Sequence, residues 1–499
     1  MEASTISLIL DGLLNSLTLY NILMMLIGLA LGVFFGALPG LSATTGMALL
    51  LPITFGLPLE GSLLMLGAVY AGALYGGNIS AILLGIPGTA AALPTTFDGF
   101  PMTRQGRSKE ALLYGLYASA FGGLVSAFIL LFLTPVIGKF ALKFGAPEIL
   151  ALALWGLSTV SGVTGKNVLK GLIVAVIGLI VSSIGTSPVG GYNRFVFGVP
   201  HLLAGLGLVP LVLGTMALPR VFEVFDQMKK QDEYFLKSNV RKWFLKPVEL
   251  IQYWVTFVKS AIIGAIIGIA PAAGPSIASI MSYNESKRSS KNPESYGKGN
   301  PEGVVASETA NSASVGGDLV LTLSVGVPGS AACAVMLGAL IMKGIQPGPL
   351  LLKNSPVSAY TFFMGFIIVN LLIFLVGHLY VQMGSYILKT PLGVLGPAIS
   401  VICSIGAYTD TNDLFGVQVM IIAGVIAYLL IKLDFPIAPF LLAIILGPLI
   451  EANFWTAYYM TGGDLWSFFK RPVFDAILIL SVLTFALPVL LQKRKRASG

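Results

Sequence analysis

The chain is a long series of apolar blocks separated by short polar breaks. A helix needs about 20 mainly apolar residues to cross the hydrocarbon core of a bilayer. Blocks near that length lie at 20–38, 61–84, 110–134, 146–164, 168–185, 199–218, 258–280, 304–326, 357–381, 393–408, 414–432, 436–450 and 473–491. Some are expected to be broken or re-entrant, so the pattern predicts an all-α polytopic membrane protein with about 12 crossings. Residues 5–18 carry Asp11 as their one charge and predict an interfacial or first-span helix.

Two charged stretches interrupt the series. From Arg220 to Lys246 there are seven cations and four acids, the composition of a cytoplasmic linker. The loop 283–302 holds Lys287, Arg288, Lys291 and Lys298 and also reads as cytoplasmic. One apolar block, about 250–282, separates the two, and a simple crossing would put one of them outside. That block is therefore expected to break, at Pro271 and Pro275. The predicted organisation is a first membrane repeat 1–219, a linker 220–257, and a second membrane repeat 258–499 ending in C-terminal spans and the basic tail Lys493-Arg494-Lys495-Arg496. The tail predicts a cytoplasmic C-terminus. The opening Met1-Glu2-Ala3 lacks a basic region, so no cleavable signal peptide is expected.

Composition excludes most other classes. The 499 residues are 56% hydrophobic and 10% charged, with mean hydropathy +0.87. Soluble domains carry about 25% charged residues, so soluble enzymes, nucleic-acid binders and secreted disulfide scaffolds are ruled out. The net charge of +8 sits in loops and tail rather than in a nucleic-acid-binding patch. Cys333 and Cys403 lie in apolar stretches without metal-binding spacing, and read as small core residues. His201 and His378 are isolated and read as structural. No P-loop occurs, which argues against an ATP-driven permease.

Self-comparison gives the most informative signal. Gly32-Val33-Phe34-Phe35-Gly36-Ala37-Leu38-Pro39 and Gly264-Ala265-Ile266-Ile267-Gly268-Ile269-Ala270-Pro271 share the pattern G-x3-G-x2-P at an offset of 232 residues. Downstream, Gly76-Gly77-Asn78 through Gly85-Ile86-Pro87-Gly88-Thr89 matches Gly316-Gly317-Asp318 through Gly326-Val327-Pro328-Gly329-Ser330, with the offset moving from 240 to 241. The glycine pairs suit close helix packing. The prolines stop helices at membrane depth, where breaks in corresponding halves point to a transporter's binding site. A single such motif would be read as packing; two in register favour a duplicated carrier. The counterpart of the basic loop 283–302 is roughly 52–60, which holds Glu60 and no Lys or Arg. That asymmetry suggests inverted repeats.

The substrate site is therefore expected at Pro39, Gly40, Ser42, Thr44 and Thr45 with Pro87, Gly88 and Thr89, facing Pro271, Gly274, Ser276 and Ser279 with Pro328, Gly329 and Ser330. Half-helix N-termini and hydroxyls there suit an anion, and unwound carbonyls suit a cation. Between the second-half breaks runs the polar segment Ser307 to Asp318. Intramembrane ionisable residues are costly and default to functional roles. Asn78, Glu308, Asn311 and Asp318 are taken as candidate sodium ligands, with an interfacial helix cap as the alternative for Glu308. Asp98-Gly99-Phe100-Pro101 reads as a cytoplasmic loop, with Asp98 as a direct ligand the alternative.

At these residues the sequence resembles the TctA family, the large membrane subunit of the tripartite tricarboxylate transporters. The stretches that carry the resemblance are Gly32 to Gly40, Tyr75 to Gly77, Gly85 to Thr89, Asp98 to Met102, Glu302 to Val304, Glu308 to Asn311, Gly326 to Ser330 and Gly344 to Leu350. It covers essentially the whole chain. The departures are Pro271-Ala272-Ala273-Gly274 in place of Pro-Gly-x-Gly, Asn311-Ser312 in place of Asn-Asn, and Asp318 at a commonly apolar position. The resemblance implies no enzyme, but the permease of an ion-gradient-driven carboxylate importer in a bacterial inner membrane. It also implies a small four-span membrane subunit and an extracytoplasmic solute-binding protein as partners. A gated organic-anion channel without ion coupling is the alternative; a membrane scaffold gains nothing from paired helix breaks.

Overall fold

The structure, a computed structural model, describes residues 5–38, 41–158, 168–187, 191–219, 221–222, 244–270, 274–387 and 392–497, without the side chains of 384–395 and 487–497. Apart from a two-residue antiparallel ladder, Gly185–Thr186 against Asn193–Arg194, the elements are helices. The chain begins with α1 (Thr5–Ser16), α2 (Leu19–Ala37), α3 (Ala43–Thr54) and α4 (Leu59–Leu84). Next come α5 (Leu93–Arg104), α6 (Ser108–Ala141), α7 (Ala146–Ser158), α8 (Val168–Ser182) and α9 (Leu208–Val212), which runs on through a π turn to Ala217. The middle holds α10 (Pro247–Ile251), α11 (Trp254–Ile269), α12 (Gly274–Ser289) and α13 (Pro301–Ser324). It is followed by α14 (Ala331–Met342), α15 (Pro349–Asn354), α16 (Pro356–Ile387) and α17 (Leu392–Thr411). The last three are α18 (Leu414–Lys432), α19 (Ala438–Met460) and α20 (Pro472–Ala497).

Among the described residues six helices are long and apolar enough to cross a membrane: α2, α4, α6, α16 to Met383, α18 and α19. Eight further apolar helices among the described residues are shorter. The chain is an all-α multi-pass membrane protein. Several predicted blocks divide: 199–218 into a 3-10 turn (Pro200–Ala204) and α9, and 258–280 into α11 and α12. Most of the linker 220–257 and its charges lie outside the described residues. The Asp98 segment is a helix, α5, rather than the expected loop. Gly85 in the left-handed region ends α4 and allows the chain to turn into it.

Two helices form the centre. Every residue from Gly61 to Ile82 of α4 is buried, as is every residue from Gly303 to Ser324 of α13. α13 is too polar to face lipid, and its polar groups are affordable only inside a protein wrapping. The wrapping comes from both ends of the chain: α6 and α11 pack on α13, while α2 and α16 pack on α4.

The glycine motifs create these contacts. A Cβ on Gly32 or Gly36 would collide with the backbone of Val69 or Ala73 in α4. A Cβ on Gly264 or Gly268 would collide with that of Ala310 or Ser314 in α13. Hence α2 docks on α4 as α11 docks on α13, at backbone-contact distance. Gly76 points into this seam at Val33, and Gly317 points into the other at Gly268. Gly316 faces Ser126 of α6, so Gly317, not Gly316, is the packing counterpart of Gly76.

Both docking helices end alike. Leu38 after α2 has φ −84, ψ 118, and Ala270 after α11 has φ −79, ψ 118. Each precedes a proline, whose ring drives the preceding residue out of the helical region. Pro39, Gly40 and Pro271 themselves lie outside the described residues. Pro275 sits in the first turn of α12, where proline is tolerated, so the break falls before Gly274.

A candidate carboxylate and cation site

The polar interior is built around Glu308, the eighth residue of α13 and fully buried. This position excludes the interfacial cap. Thr95 of α5 donates to Oε1 at 2.5 Å, while Asn311 of α13 (3.2 Å), Ser119 of α6 (3.3 Å) and Asn78 of α4 (3.4 Å) donate to Oε2. Thr95 also meets the Ser307 hydroxyl at 2.9 Å. Four helices thus converge on one carboxylate with neutral donors. The Oδ1 atoms of Asn78 and Asn311 have no hydrogen-bond partner. A half-turn of either amide exchanges its NH2 and oxygen. With both turned, amide and hydroxyl oxygens would stand beside the carboxylate, a donor set whose chemistry suits a hard cation. Among the described residues no group of three His, Cys, Asp or Glu gathers as it would for a transition metal.

Asp318 does not join this set. Ten residues along α13 place it about 15 Å from Glu308, where Tyr70 of α4 donates to its Oδ2 at 2.6 Å. The sequence therefore grouped four candidate cation ligands that the fold divides three and one. It missed Thr95, Ser119 and Tyr70. A hydroxyl inside the apolar block 110–134 was the available signal for Ser119; nothing in sequence tied Thr95 or Tyr70 to α13.

The candidate anion-binding residues sit at helix starts. Ser42 caps α3, accepting from the Thr45 N–H at 3.2 Å and meeting the Thr45 hydroxyl at 3.0 Å. Ser330 caps α14, accepting from the Cys333 N–H at 3.3 Å. Gly274, at the start of α12, comes to the side chain of Ser330. Thr89 is buried against Gly77 with its hydroxyl unpartnered, and the Ser279 hydroxyl is also buried and unpartnered. Gly88 is pressed between Gly36 and Ser80, and its N–H donates to Gly77 O at 3.2 Å, which occupies a group expected to face substrate. Thr44, Pro87 and Ser276 are half-buried and Pro328 is buried. α3 packs on α14, and α12 packs on the turn 90–92 and α5. Each break therefore adjoins the Pro-Gly segment of the other part of the chain.

Asp98 is an anchor rather than a ligand. Its Oδ1 accepts the N–H groups of Gly297 (2.8 Å), Gly299 (3.0 Å) and Asn300 (2.8 Å), and Tyr283 donates to Oδ2 at 2.8 Å. His201 proves to have a carboxylate partner, Asp413, at 3.0 Å.

Residues 22–442 match the tripartite tricarboxylate transporter TctA family. The chain belongs to that family. A similar protein from Agrobacterium vitis, described as an "uncharacterized 52.8 kDa protein in TAR-I ttuC' 3'region", is 34% identical over 488 residues, 97% of each chain. A second from Agrobacterium vitis, an "uncharacterized protein in TAR-II ttuC' 3'region", is 33% identical over 234 residues, which are 46% of this chain and 97% of its own length. No solved structure matches. The TctA match spans both glycine-proline breaks, both central helices and the Glu308 cluster, so the buried polar interior belongs to the membrane subunit of a transporter.

Proposed function

We propose that the chain is the large permease subunit of a tripartite importer that takes up a tricarboxylate or dicarboxylate by cation symport with alternating access. The observation that carries this reading is the convergence of α4, α5, α6 and α13 on Glu308. A buried carboxylate costs several kcal/mol to hold without a cation, and oxygen donors from four separate helices suit a transient one. Sodium is the proposed coupling ion, with Asn78, Glu308 and Asn311 as ligands and Thr95 and Ser119 completing the shell. The substrate binds between the breaks, through Ser42, Thr44, Thr45 and Thr89 on one side and Ser276, Ser279 and Ser330 on the other. The α2–α4 and α11–α13 pairs, with their matching glycine seams and break geometry, support two repeats, 1–219 and 258–499, and the contrast between the basic loop 283–302 and the Lys- and Arg-free 52–60 supports their inverted orientation. The partners are a small four-span subunit and an extracytoplasmic solute-binding protein. The setting is a bacterial inner membrane with the C-terminus cytoplasmic.

The test is uptake of labelled citrate and of labelled C4 dicarboxylates into proteoliposomes holding the chain with both partners. Uptake is expected under an inward sodium gradient and is expected to collapse when sodium is replaced by choline. Undiminished uptake under a proton gradient alone overturns the sodium assignment. Anion current without the binding protein or any cation gradient points instead to a channel.

A further inference from the structure

Four carboxylates are buried among the described residues: Asp98, Glu148, Glu308 and Asp318. Three are well supplied with partners. Asp98 takes three backbone N–H groups and a tyrosine hydroxyl. Glu148 accepts from Arg471 at 3.0 Å and from the Gly145 N–H at 2.8 Å. Glu308 takes four donors. Asp318 differs: it has the Tyr70 hydroxyl on Oδ2, while Oδ1 is buried with no hydrogen-bond partner.

Its position gives that difference a consequence. A Cβ on Gly329 would stand 2.8 Å from Oδ1, so the carboxyl group rests against the Pro328-Gly329-Ser330 break. Beyond the break begins α14, twelve residues long, whose first turn is capped by Ser330. The Tyr70 hydroxyl lies 3.1 Å from Ser330 Oγ and so bridges Asp318 to that cap. The titratable groups that face Asp318 are Tyr70 from α4 and Cys333 from α14. From α11 come the backbones of Gly268 and Ile269 beside Gly317. No cation among these offsets a charge on Asp318; beside the Tyr70 hydroxyl, the compensating element it adjoins across Gly329 is the partial positive end of α14. That same helix end is where the substrate carboxylate is proposed to bind.

We propose that Asp318 is a proton-binding site that controls whether the start of α14 is free to take a carboxylate anion. When ionised, Asp318 is the resident anion of that helix end and repels a second one. A proton added to Oδ1 makes the neutral acid; no other bond forms or breaks, and the helix end then faces the incoming carboxylate alone. The identity of that carboxylate rests on the function proposed above, but the proton site does not.

Two measurements on the full chain in lipid test this without transport. The first is the infrared carbonyl band of protonated carboxyl groups, followed between about pH 5 and pH 9. A titrating band is expected in Glu308→Gln, which removes the other carboxyl of the buried interior, and is expected to be missing when Asp318→Asn is added to it. A band that survives in the double variant, or no titrating band in Glu308→Gln, overturns the proposal. The second uses Ser330→Cys with Cys333 and Cys403 changed to alanine. The reactivity ratio of an anionic to a cationic methanethiosulfonate cancels the thiol's own ionisation. This ratio is expected to rise about tenfold as pH falls, a modest share of one nearby charge in a partly buried site, and to be flat when Asp318→Asn is added. A ratio that is flat with Asp318 present, or still pH-dependent without it, sinks the idea. Failed citrate uptake with both signals intact would count against the carboxylate reading alone.

Discussion

Thr95 and Glu308 are 213 positions apart in sequence, yet the threonine hydroxyl is the closest donor to the carboxylate. Thr95→Val keeps the side-chain shape and removes that group. A hydrogen bond to a charged partner contributes about 1.5–3 kcal/mol, so the sodium concentration for half-maximal uptake is expected to rise about 10- to 100-fold. Ser119→Ala, which removes a longer 3.3 Å contact, is expected to shift it less. Flux assays across a sodium series read both; sodium dependence unchanged in Thr95→Val would reduce the cluster to a structural role. At this scale the sequence was partly legible. Glu308 and Asn311 are three apart on one helix and stood out as polar residues in an apolar context. Thr95 and Tyr70 did not, because hydroxyls are common in membrane helices and their partners come from remote segments.

Helix pairs show which glycines matter and why. Gly36 and Gly268 occupy the last contact of α2 and α11 before each break, pressed on the backbones of Ala73 and Ser314. An added methyl there meets carbonyl groups that cannot move aside like a flexible side chain. Gly36→Ala and Gly268→Ala are each expected to cost about 1–3 kcal/mol, the usual range for overpacking. Gly56, in the turn after α3, has nothing within 4 Å of an added Cβ, so Gly56→Ala is expected to be neutral or slightly stabilising. Thermal unfolding in one detergent compares the three, and equal shifts would count against the seam. These motifs were legible because glycine and proline act on the backbone at their own position. The short helices were not: α3 and α14 are as apolar as spanning segments, and only the ends imposed by Ser42, Pro-Gly and the neighbouring packing cut them to half length.

Across the whole molecule, the two parts of the chain complete each other. α6 from the first part covers α13 of the second, α16 from the second covers α4 of the first, and α1 also packs on α16. Separated, the second part would present Ser307, Glu308, Asn311 and Asp318 to lipid, where unmet polar groups cost several kcal/mol each. The first part would lose the partner of Asp98, whose anchor holds residues 297–300 against α5. Cutting the chain between residues 223 and 243, in the charged linker of the sequence, is therefore expected to give two fragments that fail to accumulate when expressed singly. Co-expressed, they are expected to reach the membrane together and to copurify on a tag carried by either one. Asp98→Asn in the first fragment is expected to weaken copurification, since a neutral amide oxygen accepts three N–H groups less strongly than a carboxylate. A single fragment that accumulates as a stable monodisperse protein would show that each half closes its own core, and that α6 and α16 are additions to it rather than its walls.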